Sequence, residues 1–209
     1  MALDEALLEA AQGLGRPVLR FYAWSEPAAS FGYSQHYADV ASWTELRPLV
    51  RRPTGGGLVP HANDWTYSLV FPPGHSWYAL PAAASYRRLH EWLHEAFARM
   101  SIPTSLSPAR QKELPGRCFV GAEQFDLLCD GHKIAGAAQR RTRQGLLIQG
   151  SIQPPGRAAR TEWPQAVREV AAEKSGVSWA SLRLPPALLA RVRELAEQKY
   201  SQAAYNEKR

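Results

Sequence analysis

A glycine cluster with two preceding arginines is the first group of residues in this chain that could do chemistry. The stretch RRPTGGG runs from Arg51 to Gly57. A backbone without Cβ atoms can approach a ligand closely and turn its N–H groups towards an anion or a carbonyl, and arginines suit phosphate or carboxylate. The spacing fits neither a Walker A loop nor a dinucleotide fingerprint. A tight turn after an edge strand is the alternative interpretation of this motif.

Lys133 lies in a predicted hairpin. Asp130-Gly131 between β-forming residues is typical of a two-residue turn. The turn predicts that Cys129 pairs with His132, Leu128 with Lys133, Leu127 with Ile134 and Asp126 with Ala135. Directly opposed residues share a face, so Phe125, Leu127, Cys129 and Ile134 are expected on an apolar face and Asp126, Leu128 and Lys133 on the other. We therefore expect Lys133 to be aimed away from the core.

The two cysteines of the chain, Cys118 and Cys129, have different surroundings in the sequence. Their spacing of eleven fits no disulfide scaffold, zinc knuckle or redox pair, so both are predicted to be reduced thiols. Cys129 is most simply a small buried hydrophobic residue. Cys118 follows a polar loop containing Arg117, and a thiol near cationic groups can act as a nucleophile. An inert thiol is the alternative for Cys118.

Two weaker motifs leave other classes of function open. HEWLH, from His90 to His94, has the pattern of a zinc protease helix. Helical geometry places both imidazoles on the shoulder and outer face of the helix, so surface histidines and no metal are expected. RRTR, residues 140–143, is either a nucleic-acid patch or a solvated strand end. A zinc hydrolase and a nucleic-acid-binding module are the alternatives that these motifs carry.

Length and composition set the frame for these motifs. A chain of 209 residues that is 45% hydrophobic predicts one compact domain and excludes global disorder. The formal net charge of +6 favours an anionic partner or substrate. The opening MALDEALLEAAQ has acids where a signal peptide needs basic residues, and no apolar run is long enough to span a membrane. A soluble cytoplasmic protein is therefore expected.

The elements that must position these residues follow from periodicity. An amphipathic helix is predicted at the start from Leu3, Leu7, Ala10 and Leu14, and a second from Pro81 to Met100. Strands are predicted for PVLRFYAW, ASFGY, PLVRR, WTYSLVF, the two arms of the hairpin and GLLIQGSIQ. Residues 101–118 are predicted to be a loop, and 157–209 a helix-rich segment.

Taken together, the motifs resemble the lipoate branch of the biotin/lipoate protein ligase superfamily. The resemblance rests on RRPTGGG, His61, TYS at 66–68, FDLL, GHKIAGAAQRR and GLLIQGSI, and it extends to MALDEALL, RFYAW, FGYSQ and KYSQAAYNEKR. It implies an α+β fold with a mixed β-sheet and flanking helices, as one catalytic domain over 1–209 whose helix-rich segment begins at about 157. It implies transfer of octanoyl or lipoyl groups to one lysine of the lipoyl-domain proteins, namely the E2 component of 2-oxoacid dehydrogenases and the glycine cleavage H protein.

The resemblance implies one of two chemistries. Octanoyltransferases of this kind use a cysteine of a Cys-Phe pair, here Cys118-Phe119, to take the acyl group from acyl carrier protein, and a lysine, here Lys133, to polarise the carbonyl. They need no cofactor. Lipoate-protein ligases instead use ATP and Mg to form an acyl-adenylate at that lysine. Cys118 favours the transferase, with the ligase as the alternative, and the acidic acyl carrier and lipoyl domains suit the positive charge of the chain.

The site residues implied by the resemblance fall into two sets. Cys118 and Lys133 are expected to be catalytic. The acyl or adenylate is expected to contact Arg51, Arg52, Thr54, Gly55, Gly56, Gly57, His61, Gly136, Ala137, Gln139, Gly150 and Ser151. No metal site, membrane contact or nucleic-acid partner is expected.

The sequence also departs from the family pattern. Ala62 stands where an aspartate usually follows the motif histidine, with Asp64 two residues later. The triple glycine is more typical of ligases, and Ile148 replaces a histidine beside QGSI. The family pattern has a strand before the opening helix, so either the chain begins late or its sheet is one strand shorter.

Overall fold

The computed structural model describes residues 1–110, 121–154 and 161–208. The strands are β1 (Val18–Tyr22), β2 (Ala28–Phe31), β3 (Leu49–Arg51), β4 (Val59–His61), β5 (Trp65–Phe71), β6 (Ser105–Leu106), β7 (Leu127–Cys129), β8 (His132–Thr142) and β9 (Gly145–Ile152). The helices are α1 (Ala2–Leu14), α2 (Tyr37–Trp43), α3 (Ser76–Ala79), α4 (Ala82–Arg99), α5 (Trp163–Ser175), α6 (Pro186–Leu195), a π-helical segment (Ala196–Tyr200) and α7 (Ala203–Asn206). The predicted α+β class is confirmed.

The strands form two sheets. The larger has six strands in the order β1-β5-β9-β8-β7-β6, and neighbouring strands in it run antiparallel. The smaller has three strands in the order β3-β2-β4, with β2 parallel to β3 and antiparallel to β4. The small sheet carries the glycine cluster at the end of β3, and the large sheet carries the lysine hairpin.

The two faces of the large sheet differ in chemistry. One face packs its apolar side chains against α4 and α5 in the main core, which includes Trp65, Leu69 and Ile148. The other face packs Val70 and Leu147 against α1, and beside them it has a row of facing residues, Tyr22, Thr66, Ser151 and Gly136, running from β1 to β8. Because side chains alternate along a strand, this polar row points away from the main core. We call this side of the large sheet the polar face.

The C-terminal helices are tied to α1 by ion pairs. Lys199 Nζ lies 2.7 Å from a carboxylate oxygen of Glu5, and the Tyr200 hydroxyl donates to the same carboxylate at 2.8 Å. Arg191 binds Glu9 at 2.7 Å. The helix-rich segment predicted after residue 157 therefore packs on the opening helix through α6 and the π-helical segment.

The hairpin register is confirmed near the turn and wrong beyond it. Cys129 pairs with His132 and Leu128 with Lys133, as the Asp-Gly turn requires. Leu127 then pairs with Ala135 instead of Ile134, because a bulge lies between Leu127 and Leu128. A bulge adds one residue to a strand and changes which side chains face each partner. This shift also overturns the predicted pairing of Asp126 with Ala135.

Several short elements were missed in the sequence. Helices α2 and α3 have seven and four residues, and strands β4 and β6 have three and two, so each is too short for a period to be recognised. Strand β6 lies in the segment 101–118 that was predicted to be loop, of which 111–118 is outside the described residues.

His90 is fully buried in α4, so the prediction that it is a surface histidine is wrong. Its Nδ1 lies 3.0 Å from the carbonyl oxygen of Tyr86, and the centroids of the His90 and Tyr86 rings are 4.3 Å apart. Nε2 has no hydrogen-bond partner in the described structure. Helix α4 is covered on more sides than an amphipathic helix with one apolar stripe, because β8 and α5 flank it.

The burial of His90 predicts a specific loss of stability in acid. Burial lowers the pKa of His90 from 6.5 to about 4. Between these two values the unfolded chain binds a proton that the native state does not, so the free energy of unfolding falls as pH falls from about 6.5 to about 4, by up to about 3 kcal/mol. We expect His90→Leu to flatten this slope in urea unfolding measured from pH 7.5 to 4.5.

His94→Leu, on the same helix, is the matched control and is expected to keep the wild-type slope because His90 is still in place. His94 is half-buried and bonds to Thr104 Oγ1 at 2.8 Å. An unchanged slope in His90→Leu would show that other groups cause the acid destabilisation.

Candidate active site

The lysine of the β7–β8 hairpin forms a buried ion pair. Asp130 and Gly131 adopt positive φ angles of 50° and 78°, which is the backbone that the tight turn needs. Lys133 Nζ then lies 2.7 Å from Asp126 Oδ2, with side chains 7% and 0% exposed. The predicted faces are confirmed, since Leu127, Cys129 and Ile134 lie in the main core while Lys133 and Asp126 lie together on the other side. Both members of this ion pair are nevertheless buried.

Asp126 is held by two further donors. The Tyr86 hydroxyl donates a short hydrogen bond to Oδ1, and the backbone N–H of Glu123 donates to Oδ2 at 2.6 Å. Burial and then the Asp126 carboxylate raise the pKa of Tyr86 well above its usual value, so this hydroxyl stays protonated. Tyr86 in turn accepts from the Ala137 N–H at 3.3 Å. A buried carboxylate with this many partners fixes the ammonium of Lys133 in one place.

Because Gly136 has no side chain, the end of the Lys133 side chain can lie directly over it. A Cβ added at Gly136 would lie 2.9 Å from Lys133 Cε and 3.0 Å from Nζ. Gly136 faces Ser151 across the β8–β9 pair, so its missing side chain would point to the polar face. The Lys133 ammonium consequently lies on the polar face.

Gly136→Ala is expected to lower activity and stability together. The new methyl group would overlap the end of the Lys133 side chain and lie 3.2 Å from Asp126 Oδ1, so the buried ion pair must rearrange. Displacement of the group predicted to polarise the carbonyl should lower kcat by about 100-fold, and the weakened pair should lower the free energy of unfolding by about 1–3 kcal/mol. Gly13→Ala, in α1 with nothing within 4 Å of the new methyl group, is the control and should keep full activity. An unaffected kcat in Gly136→Ala would contradict a role for the lysine position.

The glycine cluster is held in shape by Arg52 and by close backbone packing. One terminal nitrogen of Arg52 donates to the carbonyl oxygens of Gly55 and Gly57, both at 2.9 Å. Gly32 lies against the same loop, since a Cβ there would be 1.9 Å from the carbonyl oxygen of Gly56. Gly56 itself has a φ of 85°, a conformation that favours glycine. The cluster is therefore held in one backbone conformation by contacts from outside it.

His61 lies at the centre of a buried hydrogen-bonded chain. Its Nε2 is 2.6 Å from Ser30 Oγ and its Nδ1 is 2.7 Å from Asp64 Oδ2. The ring stacks on Trp24 with centroids 4.1 Å apart. Burial lowers the pKa of His61, against the opposing effect of the Asp64 hydrogen bond. Asp64 therefore orients the histidine in this chain, where Ala62 stands at the position of the usual family aspartate.

Asp64 connects the hydrogen bonds of His61 to the large sheet. The same carboxylate oxygen accepts from Thr66 Oγ1 at 3.1 Å and from Ser151 Oγ at 2.7 Å. Ser151 faces Gly136 on the neighbouring strand, where the Lys133 ammonium lies. Directly opposed residues of an antiparallel pair have Cα atoms about 4.5–5.5 Å apart. The lysine and the histidine chain are thus neighbours on the polar face.

Arg51 has a structural position that the sequence did not predict. It is fully buried and donates from its guanidinium to four carbonyl oxygens, those of Tyr33 at 2.9 Å, Gln35 at 2.7 Å, Tyr205 at 3.2 Å and Asn206 at 2.9 Å. The Arg51 guanidinium is thus directed to backbone carbonyls, and its contact with the acyl donor stays a prediction. Arg51 joins the small sheet to the C-terminal helix α7.

Thr54 and Gly150, two further predicted site residues, have roles in packing around the site. Thr54 donates to Gln149 Oε1 at 2.8 Å, which links the glycine cluster to β9. Gly150 accommodates Tyr67, whose hydroxyl would be 2.2 Å from an added Cβ. Thr54 thus joins the glycine cluster to the large sheet, whereas Gly150 contacts Tyr67 on the main-core side.

Ala137 and Gln139 line a cleft of about 370 Å³ together with Tyr86. The Gln139 side chain is fixed by Ser85, whose hydroxyl donates to Oε1 at 2.9 Å. This cleft adjoins the Lys133 pair through Tyr86. The cleft lies beside α4, whereas a side chain added at Gly136 would point to the polar face.

The two cysteines have separate outcomes. Cys118, the predicted nucleophile, lies outside the described residues, so its role stays a prediction. Cys129 is a free thiol, 7% exposed, in the main core. Burial and the neighbouring Asp130 raise its pKa, which disfavours the thiolate. The prediction that Cys129 is a buried hydrophobic residue is confirmed.

The weaker motifs receive little support. Within residues 1–110, 121–154 and 161–208 no group of three or more His, Cys, Asp or Glu side chains is arranged to hold a metal ion. Two arginines of RRTR bind inside the fold: Arg140 donates to the Pro53 carbonyl at 3.0 Å and Arg141 to the Leu80 carbonyl at 2.7 Å. Over the same described residues, no helix is long and apolar enough to cross a membrane.

The fold is that of lipoate-protein ligase catalytic domains. The fold is shared with protein Ta0514 of T. acidophilum in its structure with bound lipoic acid, at a TM-score of 0.80 and 20% identity over 100% of this chain and 92% of that one. It is also shared with a lipoate-protein ligase A bound with ATP, at a TM-score of 0.78 and 20% identity over 99% and 92% of the two chains.

Sequence comparison gives the family. Residues 1–155 match the family described as lipoyl protein ligase A/B catalytic domain, and the chain belongs to this family. Relatives named octanoyltransferase LipM are 35% identical over 165 residues in Macrococcus caseolyticus and 37% identical over 167 residues in an Exiguobacterium species. These matches cover 73% of this chain but only 60% of each relative. The chain thus spans less than two thirds of the length of the curated relatives that it matches.

Sequence reasoning missed three residues of this site. Ser30 stands in an ordinary strand sequence and gives no signal by itself. Asp64 was noted only as a departure from the pattern. Asp126 was predicted on the same face as Lys133, but nothing in the sequence indicated that the two are buried and form an ion pair.

Proposed function

We propose that this protein is an octanoyltransferase that moves an octanoyl or lipoyl group from acyl carrier protein to the target lysine of lipoyl-domain proteins. The observation that carries the proposal is the buried Lys133 ammonium over Gly136, on the sheet face that Thr54 contacts just before the glycines, in a chain whose relatives are named octanoyltransferases. Its acceptors would be the E2 component of 2-oxoacid dehydrogenases and the glycine cleavage H protein. A cytoplasmic location belongs to the same proposal.

The proposed reaction has two acyl transfers. The Cys118 thiolate attacks the carbonyl of the carrier thioester, an enzyme thioester forms, and the carrier leaves as its thiolate. The neutral amine of the acceptor lysine then attacks the enzyme thioester, an amide forms, and the Cys118 thiolate is released while the amine proton passes to solvent. Lys133 donates hydrogen bonds to the carbonyl oxygen as negative charge develops on it in each step.

Chain connectivity supports this pairing of Cys118 with Lys133. Cys118 is five residues before Glu123, whose N–H binds the same carboxylate as Lys133. The attachment of residues 1–14 to the C-terminal helices likewise supports one catalytic domain that includes the helix-rich segment.

An ATP-dependent lipoate-protein ligase is the second candidate. The family includes lipoate ligases, and one fold neighbour was solved with ATP. Such an enzyme needs cations for the nucleotide phosphates and ligands for Mg. Arg51 and Arg52, predicted for that role, direct their guanidinium groups to backbone carbonyls and to Ser30. This use of the arginine donors within the fold favours the transferase over the ligase.

The experiment that separates the two candidates is transfer without nucleotide. The protein is incubated with octanoyl-acyl carrier protein and an apo lipoyl domain, and the lipoyl domain is weighed by mass spectrometry. Octanoylation of the lipoyl domain in the absence of ATP is the expected result. Modification that requires both ATP and free lipoate would establish the ligase instead.

A further inference from the structure

A buried chain of hydrogen bonds leads from Asp64 to the backbone of the glycine cluster. Asp64 binds His61 at 2.7 Å and His61 binds Ser30 Oγ at 2.6 Å. Arg52 donates to Ser30 Oγ at 3.0 Å from one terminal nitrogen. The other terminal nitrogen of Arg52 holds the carbonyl oxygens of Gly55 and Gly57. We call Ser30, His61 and Asp64 the relay.

The proton positions in the relay follow from its members. Arginine can only donate, so Ser30 Oγ accepts from Arg52 and has its single hydrogen for His61 Nε2. The Asp64 oxygen accepts from two hydroxyl groups and from His61 Nδ1–H. His61 is therefore neutral, with its proton on Nδ1. Every hydrogen bond of the relay then has one donor and one acceptor.

A serine, a histidine and an aspartate in this order also form the triad of serine hydrolases. Here, however, Ser30 is 0% exposed and its oxygen already accepts from Arg52. A nucleophile needs a free approach for the acyl carbon. The contact that remains for the relay is therefore with Arg52, which in turn holds the glycine loop.

We propose that Ser30, His61 and Asp64 are positioning residues that set the orientation of Arg52 and, through it, the conformation of the Gly55–Gly57 backbone that receives the medium-chain acyl thioester. This inference rests on the proposed function. Because the relay touches no reacting atom, its loss should weaken binding of the acyl donor and leave the chemical step in place.

The first test compares Ser30→Ala with Ser68→Ala in octanoyl transfer. Both serines are buried. Ser68 is outside the relay, and its Oγ donates to the Asp4 carboxylate at 2.7 Å. We expect the KM for octanoyl-acyl carrier protein to rise about tenfold in Ser30→Ala, the effect of losing one hydrogen bond to a charged group, with kcat within about threefold of wild type. Ser68→Ala should leave both constants unchanged. A fall in kcat at constant KM in Ser30→Ala would overturn the proposal.

The second test asks whether the effect passes through Arg52. In an Arg52→Met background, Ser30→Ala should change KM by less than about twofold, because the group that it positions is already absent. Independent, multiplicative effects of the two substitutions would overturn the relay. So would covalent labelling of Ser30 by a fluorophosphonate, since labelling would make it a nucleophile.

Binding measurements keep this inference separate from the proposed function. If wild type fails to transfer octanoyl groups, the proposed function is wrong. The same variants can then be compared by calorimetric titration with octanoyl-pantetheine. The relay predicts a Kd about tenfold higher in Ser30→Ala than in wild type, and a change of less than about twofold when Ser30→Ala is added to Arg52→Met. Equal affinity of wild type and Ser30→Ala in that titration would overturn the relay alone.

Discussion

Cys118→Ala is expected to abolish ATP-independent octanoyl transfer, with a loss of at least about 10³-fold in kcat. The substitution removes the only atom proposed to carry the acyl group, and the methyl side chain of alanine offers no nucleophile in its place. The free energy of unfolding is measured in parallel by urea titration, so that lost activity is not confused with lost fold.

Cys129→Ala is the matched control for that experiment. Cys129 is buried in the main core and its pKa is raised, so it should contribute packing and no chemistry. We expect full transfer activity and a loss of stability of about 1 kcal/mol. Full activity of Cys118→Ala with ATP and lipoate would instead identify a ligase.

Lys133→Met is expected to lower kcat by about 10²- to 10³-fold, the usual cost of removing one donor to a developing oxyanion. The variant should also be destabilised by about 3–5 kcal/mol, because it leaves the fully buried Asp126 without its cation. Activity is measured per folded molecule, with the folded fraction taken from urea unfolding.

The double variant Lys133→Met with Asp126→Asn separates these two effects. Both charges are gone, and the amide oxygen introduced at position 126 can still accept from the Tyr86 hydroxyl, so most of the stability should return. Activity should stay at the level of Lys133→Met. Recovery of activity together with stability would show that the lysine matters only for folding.

Local patterns predicted the parts of the site that depend on short stretches of sequence. The Asp130-Gly131 turn fixed the pairing of Leu128 with Lys133, because only a few backbone conformations close a two-residue hairpin. The opening helix and the helix at 82–99 followed from their apolar spacing. The motifs of the resemblance predict that His61, Lys133 and the glycine cluster belong to one site.

The contacts that complete the site join residues far apart in sequence, and no local pattern reports them. Ser30 and His61 are 31 positions apart, and Arg51 meets a carbonyl 154 positions later. The shift of register between Leu127 and Leu128 gives no signal in the sequence, and neither does the burial of the Lys133–Asp126 pair, which Tyr86 of α4 contacts. His90 was misplaced for a related reason, since packing of α5 and β8 on both sides of α4 cannot be read from one helix alone.

The most direct test of the proposed chemistry is to find the acyl group on the enzyme. The protein is incubated with octanoyl-acyl carrier protein without ATP or acceptor, digested with trypsin, and analysed by mass spectrometry. Cleavage after Arg117 and Lys133 gives a peptide, residues 118–133, that contains both cysteines, so Cys129 serves as an internal control. We predict one octanoyl group on Cys118, released by hydroxylamine, and none on Cys129. An unmodified peptide in wild-type protein that still acylates lipoyl domains would contradict the cysteine mechanism.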